Sequence, residues 1–366
     1  MKFHAEAFKH DQAEKIGILL VNLGSPDAPD ARSIRRFLRE FLSDQRVIEI
    51  PRILWLLILN LFILPFRPRK LVPLYQSIWT KDGSPLVSIA EKQKVKLAAF
   101  FKEKRNKEKK SNDVSFALAM RYGKPDIRTA LRQLAKDNAH KILILPTYAQ
   151  YSGTTTASIF DAISNELQQW RWIPELRFIN NYHDQVEHIQ ALADSVQSYW
   201  QQHKQGQKLL MSFHGLPQRN LRLGDPYYCQ CHKTARLLAN KLGLNDDQWL
   251  ITFQSRFGKA EWLKPYTSTS LASLAKEGLE SVDVICPGFA IDCLETLEEI
   301  AVENRDVFLG AGGKNYQYIP ALNDSDVNIQ AMASLIEQHI QGWQVESDSV
   351  ELEKREKRHS GLSSKN

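Results

Sequence analysis

Eight short runs of nearly unbroken apolar residues, each ending in glycine, proline or a polar residue, set the limits on how this chain can fold. Four lie in the first half, over 15–24, 115–123, 141–148 and 176–182. The other four lie over 208–215, 249–256, 282–289 and, more weakly, 316–319. A strand that is apolar on both faces needs cover on both, which a parallel sheet with helical crossovers supplies. Helical patterns fill the intervals. In the clearest, Ile34, Phe37, Leu38, Phe41 and Leu42 recur at i, i+3, i+4, i+7 and i+8, with arginines opposite. The expected class is α/β, with two doubly wound, Rossmann-like domains. Each holds a four-stranded parallel sheet, and they join near 170–175. The expected domains are 14–175 and 176–345, followed by a disordered basic tail over 346–366; no residue-level repeat links the halves.

A chain of 366 residues exceeds one small core, which agrees with two domains. Its net charge of +6 is modest and partly sits in the runs 102–110 and 354–358. No basic stripe is interleaved with aromatic residues, so nucleic acid is not an expected partner. Residues 1–15 carry Glu6, Asp11 and Glu14 and no apolar h-region, so no secretory or organelle signal is expected. Four cysteines do not make a disulfide framework, and a reducing cytoplasm suits them.

The segment 53–66 is almost wholly apolar, yet shorter than the ~20 residues of a membrane span. It reads either as a buried helix or as an exposed lip that dips into a bilayer or covers a hydrophobic ligand. Arg67, Arg69 and Lys70 directly after it would suit a headgroup boundary.

Ligands of doubly wound sheets bind beyond the carboxyl ends of the strands. Aromatic, basic and titratable residues gather there: Arg121 and Tyr122, Tyr148 to Ser152, His214, Gln254 to Arg256, and Phe289. The loop Gly24-Ser25-Pro26-Asp27 carries neither phosphate-binding glycine pattern, which argues against a nucleotide cofactor. Ser212 lies two residues before His214, too far along a strand for a nucleophile–base pair, and no nucleophile elbow is present. Cys229, Cys231 and His232 lack a second ligand pair at zinc spacing, so packing is their default role. Asp292, Glu295, Glu299 and Glu303 recur at i, i+3, i+7 and i+11, which stacks four carboxylates on one face of an α-helix. That stripe is either a solvated face or a functional one, and His214 alone would pass for a packed histidine. Together they form an incomplete ligand set, suited to a site that hands its metal on rather than keeping it.

In order along the chain, these stretches resemble the ferrochelatase family. The matching motifs are Gly17 to Gly24, Gly83-Ser84-Pro85-Leu86, Met120-Arg121-Tyr122-Gly123, Gln150-Tyr151-Ser152 with Thr154 to Thr156, Ser212-Phe213-His214-Gly215, Gly224-Asp225-Pro226-Tyr227, Phe253 to Gly258 with Trp262, and Cys286-Pro287-Gly288-Phe289 leading into Asp292 to Glu299. The resemblance implies insertion of Fe(II) into protoporphyrin IX bound in a cleft between the domains, at the last step of haem synthesis. It makes His214 and Glu295 the catalytic and iron-binding pair, with Asp292, Glu299 and Glu303 as an acidic path for iron or protons. Arg67, Tyr75 and Ser84 match positions that contact the porphyrin, with Arg121 and Tyr151 as further pocket positions. Segment 53–66 becomes the lip that associates with membrane, and the implied location is cytoplasmic, peripheral to the inner membrane.

The residue types suit that chemistry. An imidazole takes a proton near neutral pH, and a carboxylate ligates iron transiently. Iron is then a substrate and no organic cofactor is implied. No cysteine follows Cys293, so the iron–sulfur cluster of some relatives is not expected. Thr147 and Ala149 stand where relatives often have Leu and Pro, and Tyr228 replaces a common Pro, which adjusts loops. The rival readings are a chelatase for coproporphyrin or another metal, and a porphyrin carrier without turnover.

Overall fold

All of β1 (Lys15–Asn22) beyond its first residue is buried, because strands flank it on both edges and helices cover both faces. The computed structural model describes residues 3, 13–108, 113–258, 260–344, 354, 357 and 358. After β1, Asp30 caps α1 (Ala31–Leu42) by accepting the N–H groups of Arg32 and Ser33. Next come α2 (Arg52–Ile58), a π-helical turn at Leu59–Ile63, α3 (Leu64–Ile78) and α4 (Pro85–Glu108). The first sheet is completed by β2 (Val114–Met120), α5 (Ile127–Lys136), β3 (Ala139–Pro146), a second π turn (Gly153–Ala157), α6 (Ser158–Leu167) and β4 (Glu175–Phe178).

The second half repeats the plan with α7 (Val186–Gln202), β5 (Lys208–His214), α8 (Gln218–Arg222), α9 (Tyr227–Leu242), β6 (Trp249–Gln254), α10 (Thr267–Lys276) and β7 (Ser281–Ile285). A π-helix (Glu295–Asn304), α11 (Arg305–Gly310), β8 (Asn315–Ile319) and α12 (Asp326–Ile340) follow. The sheets run β2-β1-β3-β4 and β6-β5-β7-β8, four strands each, and every pairing is parallel. The two doubly wound units expected from the apolar runs are therefore present, with the same strand order.

The structure moves the expected domain boundary. A cut between residues 175 and 176 would fall inside β4, which pairs with β3. Beyond it, Ile179 and Tyr182 still belong to the first core. At the other end, α12 bridges the two cores: Ile329, Met332, Ala333, Leu335 and Ile336 pack with Ile18 and Leu20 of β1 and Leu143 of β3, while Ala331 belongs to the second core. Lys104 binds Glu337 at 2.6 Å, which ties α12 to α4, and Gln93 donates to the carbonyl of Asn323, just before α12, at 2.8 Å. The C-terminal helix thus covers the first sheet. Apart from residues 354, 357 and 358, the tail expected over 346–366 lies outside the described residues.

The apolar segment is not a buried helix. Trp55, Leu59 and Leu64 pack against Ile34, Phe37 and Leu38 of α1, and the Trp55 indole donates to the Leu42 carbonyl at 2.6 Å. The opposite face is open, with Ile53 80% and Phe62 65% exposed and Leu54, Leu57, Leu61 and Phe66 also exposed. Pro65 has no N–H to return to the helix, and the π turn lies just before it. Among the described residues no helix is long and apolar enough to cross a membrane.

Candidate active site

β5 delivers His214 to the carboxyl edge of the second sheet, half-buried after the buried run Leu209–Phe213. Its Nδ1 lies 2.8 Å from the Gly215 carbonyl, which can only accept. The neutral ring therefore carries its proton on Nδ1 and keeps the Nε2 lone pair for a proton or a metal. Only glycine fits after His214, since a Cβ at Gly215 would stand 2.6 Å from the Gln254 carbonyl.

The acid stripe differs from the α-helix its spacing suggested. Glu295–Asn304 is a π-helix, a form that concentrates at functional sites. Asp292 precedes it and does not join the path: it is buried and accepts from Tyr318 Oη at 2.5 Å, Asn323 Nδ2 at 2.7 Å and Thr296 Oγ1 at 2.9 Å. With those donors around it, Asp292 anchors the helix entrance to the segment after β8.

Glu295, Glu299 and Glu303 remain, and they run outward. Glu299 accepts the Ser255 N–H at 2.6 Å, the Ser255 hydroxyl, and Gln254 Nε2 at 3.4 Å. Burial raises the Glu299 carboxyl above the usual range and the charge of Glu295 adds to this, while the Ser255 hydrogen bonds and His214 oppose it. Glu303 is exposed. Between Glu299 and Glu303 opens a cavity of about 250 Å³, also lined by Arg256, Tyr266, Ser268 and Asn304. From the first unit, Tyr75 and Tyr148 come near Glu295. Burial foremost, then neighbouring charge that includes Glu295, holds both phenols neutral.

The other expected residues separate by role. Arg67 lies 4.4 Å over the ring of Phe257, so it bridges the two units, and among the described residues it makes no ion pair. Burial lowers its pKa, which marks a desolvated guanidinium without a carboxylate. Tyr75 and Ser84 are buried, and the Ser84 carbonyl accepts the N–H groups of Val87 and Ser88 at the start of α4. The Tyr151 backbone N–H donates to Gln230 Oε1 at 2.7 Å, tying the two units together at the back of the cleft. Arg121 is already engaged: Nη2 binds Asp44 at 2.6 Å and Nε binds Ser158 Oγ at 2.6 Å. Burial alone would raise the Asp44 carboxyl, but Ser158, the Arg46 N–H, Tyr122 and Arg121 together hold it below the usual range. Sequence reasoning passed over Asp44, which carries no local signal. Tyr148, Gln254 and Ser255 stand at the strand ends the sequence marks, but nothing local assigns them a role.

Among known proteins, the ferrochelatase family model matches residues 15–340. A ferrochelatase of Thioalkalivibrio sulfidiphilus is 52% identical over 344 residues, covering 94% of this chain and 92% of that protein. Ferrochelatase 2 of Shewanella oneidensis is 51% identical over 331 residues, covering 90% of this chain and 99% of the relative. The solved structure of SirB from Bacillus subtilis with Fe3+ superposes with a TM-score of 0.52 at 12% identity, covering 89% of this chain and 96% of that one, a likeness of fold alone. With a family match across nearly the whole chain, and His214 and the acidic π-helix where two parallel sheets meet, this chain belongs to the ferrochelatases, the lyases that insert ferrous iron into a porphyrin.

Proposed function

We propose that the porphyrin is protoporphyrin IX and that it is metallated between His214 and Glu295. The observation that carries this reading is the polarity of the site. A run of carboxylates, with Glu299 desolvated and Glu303 exposed, opens on a polar cavity on one side, and an apolar lip with Arg67, unpaired among the described residues, lies on the other. Metallation exchanges two pyrrole protons for one Fe(II). His214 Nε2 accepts a proton from a pyrrole nitrogen, and Glu299 and Glu303 carry protons outward or iron inward past the cavity. Glu295, opposite the histidine, holds iron transiently, since one carboxylate and one imidazole do not complete a stable ligand set. A macrocycle bound bent would present its nitrogen lone pairs to both groups. Arg67 would pair with a propionate, gaining because no protein carboxylate competes for it. Coproporphyrin has four carboxylates and would call for more cations than the apolar lip offers.

The test is an anaerobic assay with Fe(II) and either porphyrin, read as loss of porphyrin fluorescence. Turnover is expected with protoporphyrin IX and at least ~10-fold less with coproporphyrin, the cost of about one unpaired buried charge contact. Faster loss with coproporphyrin would reverse the substrate assignment, and binding without metallation in both would favour a carrier.

The exposed face of α2 and the π turn is proposed to rest on a membrane surface, with Arg69 and Lys70 at the headgroup boundary, and the protein is proposed to be cytoplasmic and peripheral to the inner membrane. Replacing Leu57, Leu61 and Phe62 by serine, all exposed, should leave the fold intact. Co-sedimentation with phosphatidylethanolamine–phosphatidylglycerol vesicles should fall at least ~10-fold, since each side chain contributes ~1 kcal/mol or more on partial burial. Unchanged sedimentation would assign the lip to covering the porphyrin alone.

A further inference from the structure

Gln254, the last residue of β6, is 3% exposed and touches both halves of the catalytic pair. Its backbone carbonyl accepts the Gly215 N–H at 2.8 Å, and the Gly215 carbonyl in turn holds His214 Nδ1 at 2.8 Å. Its side-chain Nε2 donates to the Glu295 carbonyl at 3.1 Å, in the first turn of the π-helix, and to the Glu299 carboxylate at 3.4 Å. The amide can face only one way. Its Oε1 meets two donors, Ser212 Oγ at 2.8 Å and Cys286 Sγ at 3.5 Å, whereas Nε2 meets only acceptors. Behind it a buried hydroxyl chain continues from Ser212 to Thr267 at 2.9 Å and on to Thr252 at 3.0 Å. A buried polar network of this kind rigidifies what it touches.

We infer that Gln254 is a positioning residue for metallation: its backbone carbonyl holds the strand end at Gly215 while its side-chain amide holds the start of the π-helix, so one buried residue sets the spacing of His214 from Glu295 and Glu299. This rests on the reading of His214 and Glu295 as the reacting pair. The amide contacts no porphyrin. It removes the freedom of a strand end and a helix start to drift apart, and a misplacement of ~1 Å can cost about 100-fold in rate.

Gln254→Met keeps the shape and removes both polar ends. Thr252→Val breaks the same hydroxyl chain at its far end, away from the reacting groups. Both should lower Tm by a similar few degrees. Only Gln254→Met should lower kcat, by about 10- to 100-fold, with the KM for porphyrin and the porphyrin affinity unchanged within about twofold. If Gln254→Met does not fold, Gln254→Asn, whose amide stops one methylene short, should give the same split. Turnover in the folded Gln254 variant equal to that of Thr252→Val would overturn the positioning role and leave only a structural one. Wild type and His214→Ala belong in the same series. Were they to metallate alike, the assignment of the pair would fail, a result distinct from anything the Gln254 variants report.

Discussion

His214→Ala should lower iron insertion by ~1,000-fold or more while protoporphyrin still binds within a few-fold of wild type, the scale of losing a positioned proton acceptor. The imidazole stands at the end of β5 with Nδ1 held by the Gly215 carbonyl and Nε2 without a hydrogen-bond partner among the described residues. His214 also acts on the Glu299 carboxyl, opposing the rise that burial gives it. Glu295→Gln keeps shape and hydrogen bonding but removes the charge. It should reduce turnover at limiting Fe(II) more than at saturating Fe(II), because a neutral amide is a poor ligand for a divalent ion. Single-turnover fluorescence at several Fe(II) concentrations separates the two effects. Wild-type rates in His214→Ala would end its role as proton acceptor.

Gly24→Ala should destabilise the protein by at least ~3 kcal/mol, combining a strained backbone with a clash the surroundings cannot relieve. Gly24 follows β1 with φ at +110°, and a Cβ there would lie 1.8 Å from the Tyr122 carbonyl oxygen. That carbonyl belongs to the loop bearing Arg121 and Tyr122, whose N–H groups bond the carbonyls of Asn22 and Leu23 at 2.7 and 2.9 Å. Moving it pulls Arg121 and Tyr122 away from Asp44. Gly243 makes the contrast. It closes α9 with φ at +70° and would meet nothing within 4 Å, so Gly243→Ala should cost only ~1 kcal/mol. Denaturant unfolding of both variants tests the difference, and equal losses would show that the loop yields.

The strands were legible because burial on both faces writes a local signal, as in Leu209–Phe213 or Ile16–Val21. Their ends were less so: the runs ending at Gly123, Tyr182 and Phe289 extend past Met120, Phe178 and Ile285 into loops, since rim residues are partly apolar too. The His214 motif was visible as a polar residue at the end of an apolar run. The π-helix was not, because Glu295, Glu299 and Glu303 at intervals of four satisfy α and π patterns alike. Asp292 was misplaced on the path for a different reason. Its donors Tyr318 and Asn323 come from a segment beyond the helix, and only the assembled fold brings them together. The segment 53–66 announced its composition but not which face would turn outward. That depended on Ile34, Phe37 and Leu38 of α1 claiming Trp55, Leu59 and Leu64.

The return of α12 to the first sheet has a consequence for biosynthesis. A ribosome releases β1 to β4 long before it releases Asp326 to Ile340, so the core around Ile18, Leu20 and Leu143 is covered only by α4 on that side while the second unit is made. A chain stalled before α12 would leave the part of that core which Ile329, Met332 and Ile336 cover open to chaperones. Docking of α12 therefore comes late and closes both cores together, Ile329 to Ile336 on the first and Ala331 on the second.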